Sequence, residues 1–368
     1  MTIAAMNSEW GIAPEVAKVE AGTFTPGSYT WRRFRAPTLD LGTIQFQSPF
    51  PQEISGFLTP TGFYKGGAFF GGSVDMLPRT QSVMGLFYYA LMGNVSSVTG
   101  VDMEGVAATG VNTHIFNYNT LNTIPWFATR FKVAGQVAAD NLAHYGIDCK
   151  VNAMQFRMVA TGKLTCRVGV VGRRPQYEKD PSFAWANTLE DDTTVPEACT
   201  GEINIGGETP TVVSAQIDVI NTLSSPQAEM IFGSYHPDDF IPLARSVNVR
   251  VRTKWANPDL LLKVLTGSAA GTAWDPNPYI TYDFGPDYGF MLKSEAPKTI
   301  AGSSPSTRYA WAIRGNRAVW MPVGNTILTA GDMVMQDFMA VITTPDDPTT
   351  EQYCQIVLQN DAAPYTWT

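Results

Sequence analysis

Charge is the scarcest commodity in this 368-residue chain: Asp, Glu, Lys and Arg make up 16% of it, against about 25% in an ordinary soluble domain. Hydrophobic residues reach 44% and aromatic residues 11%. With so little solvating surface, much of the exterior is expected to be interface. Long apolar runs are missing too. The greasiest segment, Val83–Met92, falls short of the roughly 18 to 20 residues that a membrane span requires. The opening stretch MTIAAMNSEWGIAPEV has no basic region followed by an apolar core, so no secretory signal is read and the chain is expected to stay in the cytoplasm where it is made.

Cysteine is sparse. Cys149, Cys166, Cys199 and Cys354 form no C-x-x-C spacing, which leaves zinc and thioredoxin-like readings without support. Free thiols in a reducing compartment are expected. A turn at Thr161-Gly162 would set Cys166 near Arg157 and leave Cys149 roughly 26 Å away, too far for a clip across one hairpin.

Signatures of chemistry are absent as well. No G-x-x-x-x-G-K-[ST] loop, no G-x-G-x-x-G opening a helix and no G-x-S-x-G elbow occurs, which disfavours nucleotide enzymes and serine hydrolases. The histidines His114, His144 and His236 are scattered and form no H-x-x-x-H pair. His236 with Asp238 and Asp239 offers a cation set only on paper, since acids beside proline commonly mark a solvated turn. Glu190-Asp191-Asp192 reads as a solvated run rather than a glycosidase dyad. No catalytic, cofactor-binding or metal-binding residue is assigned, no cofactor is expected, and the chain is read as not an enzyme.

The net charge of −8 and pI of about 5.0 argue against a protein that grips nucleic acid through phosphates. The one basic cluster, Trp31-Arg32-Arg33-Phe34-Arg35, interleaves charge with aromatics as single-strand binders do. Acidic residues of an adjoining subunit are its preferred partners.

What the chain does have is strand. Tyr145–Val171, broken once at Thr161-Gly162, reads as a hairpin longer than usual that forms a wall. Val111–Tyr118, Pro125–Val133, Thr211–Ile220 and Ser246–Thr253 read as further strands, and Gly172–Pro175 as the end of the first unit. Gln81–Met92 has helical spacing, with Gly93 placed for a left-handed C-terminus. Arg35–Lys65, with four prolines and the aromatics Phe50, Phe57 and Phe63, is a long loop suited to reaching a neighbour.

The pattern occurs twice. SVDMLPRT at Ser73–Thr80 and SVNVRVRT at Ser246–Thr253 share Ser, Val, Arg and Thr at equal spacing. A helix follows each; the second has Asn257 as N-cap, Pro258 at its first position, Leu260–Leu265 as its body and Gly267 past its end. Ala310–Pro322 and Thr326–Ile342 repeat the hairpin, with Gly331 where Gly162 falls. The fold class is therefore mainly β: two β-sandwich or barrel-like domains in tandem, each with a flanking short α-helix. Residues 1–180 make the first, with an N-terminal arm and the long loop at about 35–65. Residues 181–210 are a linker or exposed excursion, and 211–368 the second.

GIAPEVAKVEAGTFTPGS, FYKGGAFFGGSVDMLPRTQSVMGLFYYALMG, THIFNYN, PWFATRF, YGIDCKVNAMQF with GKLTCRVGVVGRRP, VVSAQIDVIN and IVLQNDAAPY, in this order, resemble the phage tail tube proteins of long non-contractile, siphovirus-type tails. The resemblance implies a tube fold whose inner sheets join around a ring, with rings stacking helically into a conduit for genome ejection. It implies self-association, here as a homotrimeric pseudo-hexameric ring or alternatively a homohexamer. The implied partners are tape measure, tail terminator and tail tip proteins, with double-stranded DNA as non-specific passing cargo and no membrane. The implied location is the virion tail. An acidic protein would suit a channel that repels DNA. The rival readings are an extracellular-type β-sandwich carbohydrate-active or carbohydrate-binding protein, favoured by nine Trp, and another virion component such as a capsid or baseplate protein.

Overall fold

The computed structural model describes residues 9–19, 22–45, 66–81, 83–118, 123–135, 137–179, 184–274, 279–281, 289–324, 334–343 and 353–367. In the first half, β1 (Glu9–Glu15), β2 (Arg32–Phe34), β3 (Thr38–Gln45) and β4 (Ala68–Met76) lead to helix α1 (Met84–Met92). β5 (Gly93–Val101), β6 (Ala107–Tyr118), β7 (Trp126–Val133), β8 (Leu142–Val159) and β9 (Thr165–Lys179) follow. The second half holds β10 (Glu202–Asn204), β11 (Val212–Leu223), β12 (Pro242–Lys254), α2 (Asp259–Thr266) and β13 (Tyr279–Thr281). It continues with β14 (Phe290–Thr299), β15 (Arg308–Gly315), β16 (Arg317–Val323), β17 (Met335–Ile342) and β18 (Gln355–Asn360).

The expected hairpin is β8–β9, paired antiparallel from Leu142↔Lys179 to Arg157↔Thr165. Gly162 sits in its turn, donating its N–H to Val159 O at 2.8 Å. Cys166 faces Phe156, one residue from the Arg157 that spacing suggested. Gly172–Pro175 does not end the unit. β4 covers β9 only as far as Gly172, so among the described residues β9 is an edge strand beyond that point, where Pro175 is tolerated.

Two antiparallel sheets enclose the core. Among the described residues the larger has twelve strands, and the smaller runs β10-β14-β15-β18-β6-β5. Along the β8 tip, burial alternates with period two: Met154, Phe156 and Met158 are buried while Gln155, Arg157 and Val159 are not. Helix α1 is wedged between the sheets. Tyr88 on α1 meets Phe116 of β6 at 5.6 Å and Phe156 of β8 at 6.1 Å between ring centroids, and Phe156 meets Trp311 of β15 at 5.0 Å.

The repeat is visible in strand order. β3-β4-β9-β8 in the first half matches β11-β12-β17-β16 in the second, every neighbouring pair antiparallel. Val74 pairs with Val168, and its counterpart Val247 with Ile342. Gly93 and Gly267 end the helices in the left-handed region, at φ 86° and 75°, where glycine carries no Cβ penalty. The helices differ in placement. α1 buries eight of its side chains' positions, whereas α2 buries only Leu260. Asn257 does not cap α2: its amide donates to Asp259 Oδ2 at 2.7 Å, and Pro258 occupies the flanking position with no side-chain cap. Gly331 lies outside the described residues.

The stretch expected as linker or excursion packs against both halves where it is described. Val195 and Ile205 are fully buried, β10 pairs with β14, and Thr80 donates its backbone N–H to Thr194 O at 3.1 Å.

Candidate assembly interface

One seam inside the chain joins the two four-strand units. β8 pairs with β11 from Ala153↔Ile220 to Val159↔Ser214, and Ala160 extends the ladder by donating to Val213 O at 2.8 Å. Met154, Phe156 and Met158 of β8, with Ala215, Ile217 and Val219 of β11, face the core. The seam is thus both hydrogen-bonded and apolar.

The same elements reappear at the outer limits of the large sheet. Among the described residues, β16, the counterpart of β8, carries only the three residues of β13 on its outer edge, against Arg317–Val319. β3, the counterpart of β11, pairs on one side with β4 and on the other with no described strand. Open edges template further pairing unless they are blunted. These carry apolar side chains to solvent, with Met321 and Val323 on β16 and Ile44 on β3 exposed by 42%, 46% and 46%.

Arg35–Lys65 is not loop throughout: β3 occupies Thr38–Gln45, because Thr38, Leu39, Leu41 and Ile44 suit a pleated, half-buried surface better than a connection. Residues 46–65, with Phe50, Phe57 and Phe63, lie outside the described residues. The counterpart connection in the second unit, between β11 and β12, is described. Its tip presents Ile231, Tyr235 and a fully exposed Phe232. Its base is anchored, Ala68 N–H donating to Tyr235 O at 2.8 Å, Asp238 pairing with Lys18 at 3.0 Å and Asp239 with Lys150 at 3.0 Å.

That anchoring disperses the paper cation set. Asp238 and Asp239 turn to different lysines, and His236 Nδ1 lies 2.8 Å from Ala68 O. His114 is buried between Ser97 Oγ and Asn360 Oδ1. His144 stacks on Phe131, and burial holds both rings below the usual histidine range. Among the described residues no three His, Cys, Asp or Glu side chains are grouped to hold a metal.

Two arginines of the cluster have acids within the chain. Arg33 pairs with Glu9 at 3.8 Å and Arg35 with Asp192 at 3.6 Å, while Phe34 packs on Trp10 and Phe87. The acidic run also has a local task. Glu190 accepts from Val83 N–H at 2.8 Å at the start of α1, where the helix dipole favours a carboxylate.

A buried ionic knot, which no local sequence signal marks, holds the chain after β1 against the hairpin. Asp148, at φ 53°, accepts from Val19 N–H at 2.6 Å and from Arg173 at 2.6 Å. Its own N–H donates to Glu15 Oε2 at 3.0 Å, and Arg174 also reaches Val19 O. Burial first, and the Asp148 charge second, push the Glu15 carboxyl up to about 9. The cysteines are free, with Cys149, Cys166 and Cys354 buried and Cys199 exposed; burial pushes the Cys354 thiol up to about 12.

The family model described as phage tail tube protein matches residues 11–275. The search of curated proteins returned no match.

Proposed function

Because the chain belongs to the phage tail tube protein family, a family of structural tail components, we propose that three copies close into a pseudo-hexameric ring and that these rings stack helically into the conduit for genome ejection. The observation that carries this reading is the β8·β11 seam. Two units of equal strand order are already joined edge to edge, and the same two kinds of edge recur at β16, clear of β13 from Trp320 to Val323, and at β3. A head-to-tail contact of this kind generates a ring when its rotation closes. Pairing β16 of one copy with β3 of the next repeats the seam three times more, giving six like units from three chains. A homohexamer would instead place twelve units in the ring.

Stacking is assigned to the connections between β3 and β4 and between β11 and β12, the second of which ends in Ile231, Phe232 and Tyr235. Two tube domains, residues 1–180 and 211–368 with 181–210 between them, are one chain's share of the wall. Tape measure, tail terminator and tail tip proteins are the other tail partners, and double-stranded DNA is the cargo, in a siphovirus-type tail built in the bacterial host cytoplasm. No enzymatic step belongs to this role.

Cryo-electron microscopy of assembled tubes, refined without imposed sixfold symmetry, is expected to resolve three copies per ring. Six copies of this 40.1 kDa chain per ring would overturn the stoichiometry.

A further inference from the structure

The large sheet buries one face and leaves the other open, and the open face does not share the acidity of the whole. Asp75 on β4 pairs with Arg167 on β9 at 3.8 Å, and Arg252 on β12 with Asp337 on β17 at 3.5 Å. The same seam of each unit thus carries an ion pair, with acid and base exchanged between strands. The remaining acid in the middle of the face, Asp218, is engaged by amides: Gln155 donates to it at 2.7 Å and Gln216 at 3.1 Å.

Two arginines are left over. Arg157 on β8 stands opposite Gln216 on β11, and Gln216 opposite Arg250 on β12, so the arginines share one row across the internal seam, two strands or about 10 Å apart. Both are exposed, and among the described residues neither has an acidic partner. Their counterparts by strand order are not basic. Met321 on β16 stands where Arg157 does, and the register that matches Val247 to Val74 places Leu77 where Arg250 stands. The row is therefore a property of the internal seam alone.

We propose that the open face of the large sheet lines the lumen and that Arg157 and Arg250 form on it a cationic row that touches the phosphates of double-stranded DNA; this rests on the ring reading given above. Charge complementarity selects the occupant: the row presents two guanidinium groups, able to fork onto phosphate oxygens, around a neutral amide. Thr165 and Gln216 beside Arg157 supply no aromatic face for base stacking, so the contact is to the backbone. Three chains give three such rows per ring. The other arginines that pair across this face, Arg167 and Arg252, are held by acids of the protein, so the duplex is touched at spaced points and not gripped along the wall.

The test uses the purified full-length chain and a short labelled duplex, with fluorescence anisotropy read between about 50 and 200 mM salt. The wild type is expected to bind weakly, with an affinity that falls steeply with salt. The R157Q/R250Q variant is expected to lose about tenfold at the lowest salt and to flatten the log–log salt slope by about 0.9 per arginine. R167Q removes an arginine already paired with Asp75 and is expected to leave the slope unchanged. No duplex binding by the wild type, equal slopes for wild type and R157Q/R250Q, or a loss confined to a poly-glutamate probe would each overturn the proposal, the last in favour of an acidic protein segment. Electron microscopy of the same samples separates the two readings: tubes with unaltered DNA binding sink only the arginine row, whereas absence of tubes from wild-type protein sinks the ring.

Discussion

Asp148 donates its backbone N–H to Glu15 Oε2 at 3.0 Å, which brings two carboxyl groups together beneath the surface, with Arg173 and Arg174 as the cations that face them. Desolvation and the neighbouring Asp148 charge outweigh the arginines at Glu15, whose carboxyl titrates at about 9 in the folded chain against 4.5 ordinarily. The folded state therefore holds a proton that the unfolded state releases. Stability associated with Glu15 is present below the unfolded value and is lost as pH rises through that window toward about 9, with a slope of at most about 1.4 kcal/mol per pH unit. Glu15→Gln keeps the shape and removes the titration. Its melting temperature should match the wild type near pH 5 and exceed it increasingly up to pH 8; parallel curves across that range would show that Glu15 is ionised in the fold.

The open edge of β16 gives a second expectation. Met321→Lys with Val323→Lys places two charges on exposed positions, a substitution that costs the isolated chain within about 0.5 kcal/mol but blunts strand pairing. Thermal melting should be unchanged while tubes disappear from micrographs. Normal tubes from this variant would remove β16 from the ring seam.

A third expectation concerns the tip between β11 and β12. Replacing Ile231, Phe232 and Tyr235 by serine takes exposed apolar area from a loop whose anchors, Asp238–Lys18 and Asp239–Lys150, remain. Single rings without long tubes should result. Tubes of ordinary length would reduce the tip to decoration.

Val168 probes a different layer. It has no exposed surface and pairs with Val74 in the core-facing row of β9, so Val168→Asp buries an unpaired carboxylate and should cost several kcal/mol. The variant is expected to fail before assembly, as insoluble or unfolded protein by circular dichroism. A soluble, natively melting variant would contradict the placement of Val168 in the core.

These positions also mark how far the sequence could be read. Period-two alternation exposed β8, β9, β11 and β12, and glycine just past an apolar helix located both helix ends, because those signals are local. Asn257 missed as a cap because its amide found Asp259 instead, a competition that residue type alone does not resolve. β3 was half hidden, its LGTIQ legible as strand but its neighbours crowded with proline. Neither the open edges nor the Arg157–Arg250 row could be read, since pairing partners across tens to hundreds of residues leave no periodic trace. Net charge is silent on the same ground: −8 for the chain says nothing about which face bears the arginines.

β18 lies between β6 of the first half and β15 of the second, and its six residues are all buried. Synthesis makes it after both strands that it separates. Until it emerges from the ribosome, the smaller sheet is a three-stranded piece, β10-β14-β15, apart from the β6-β5 hairpin, and the layer is missing its middle plank. The last strand made is thus the one that couples the two halves in this layer.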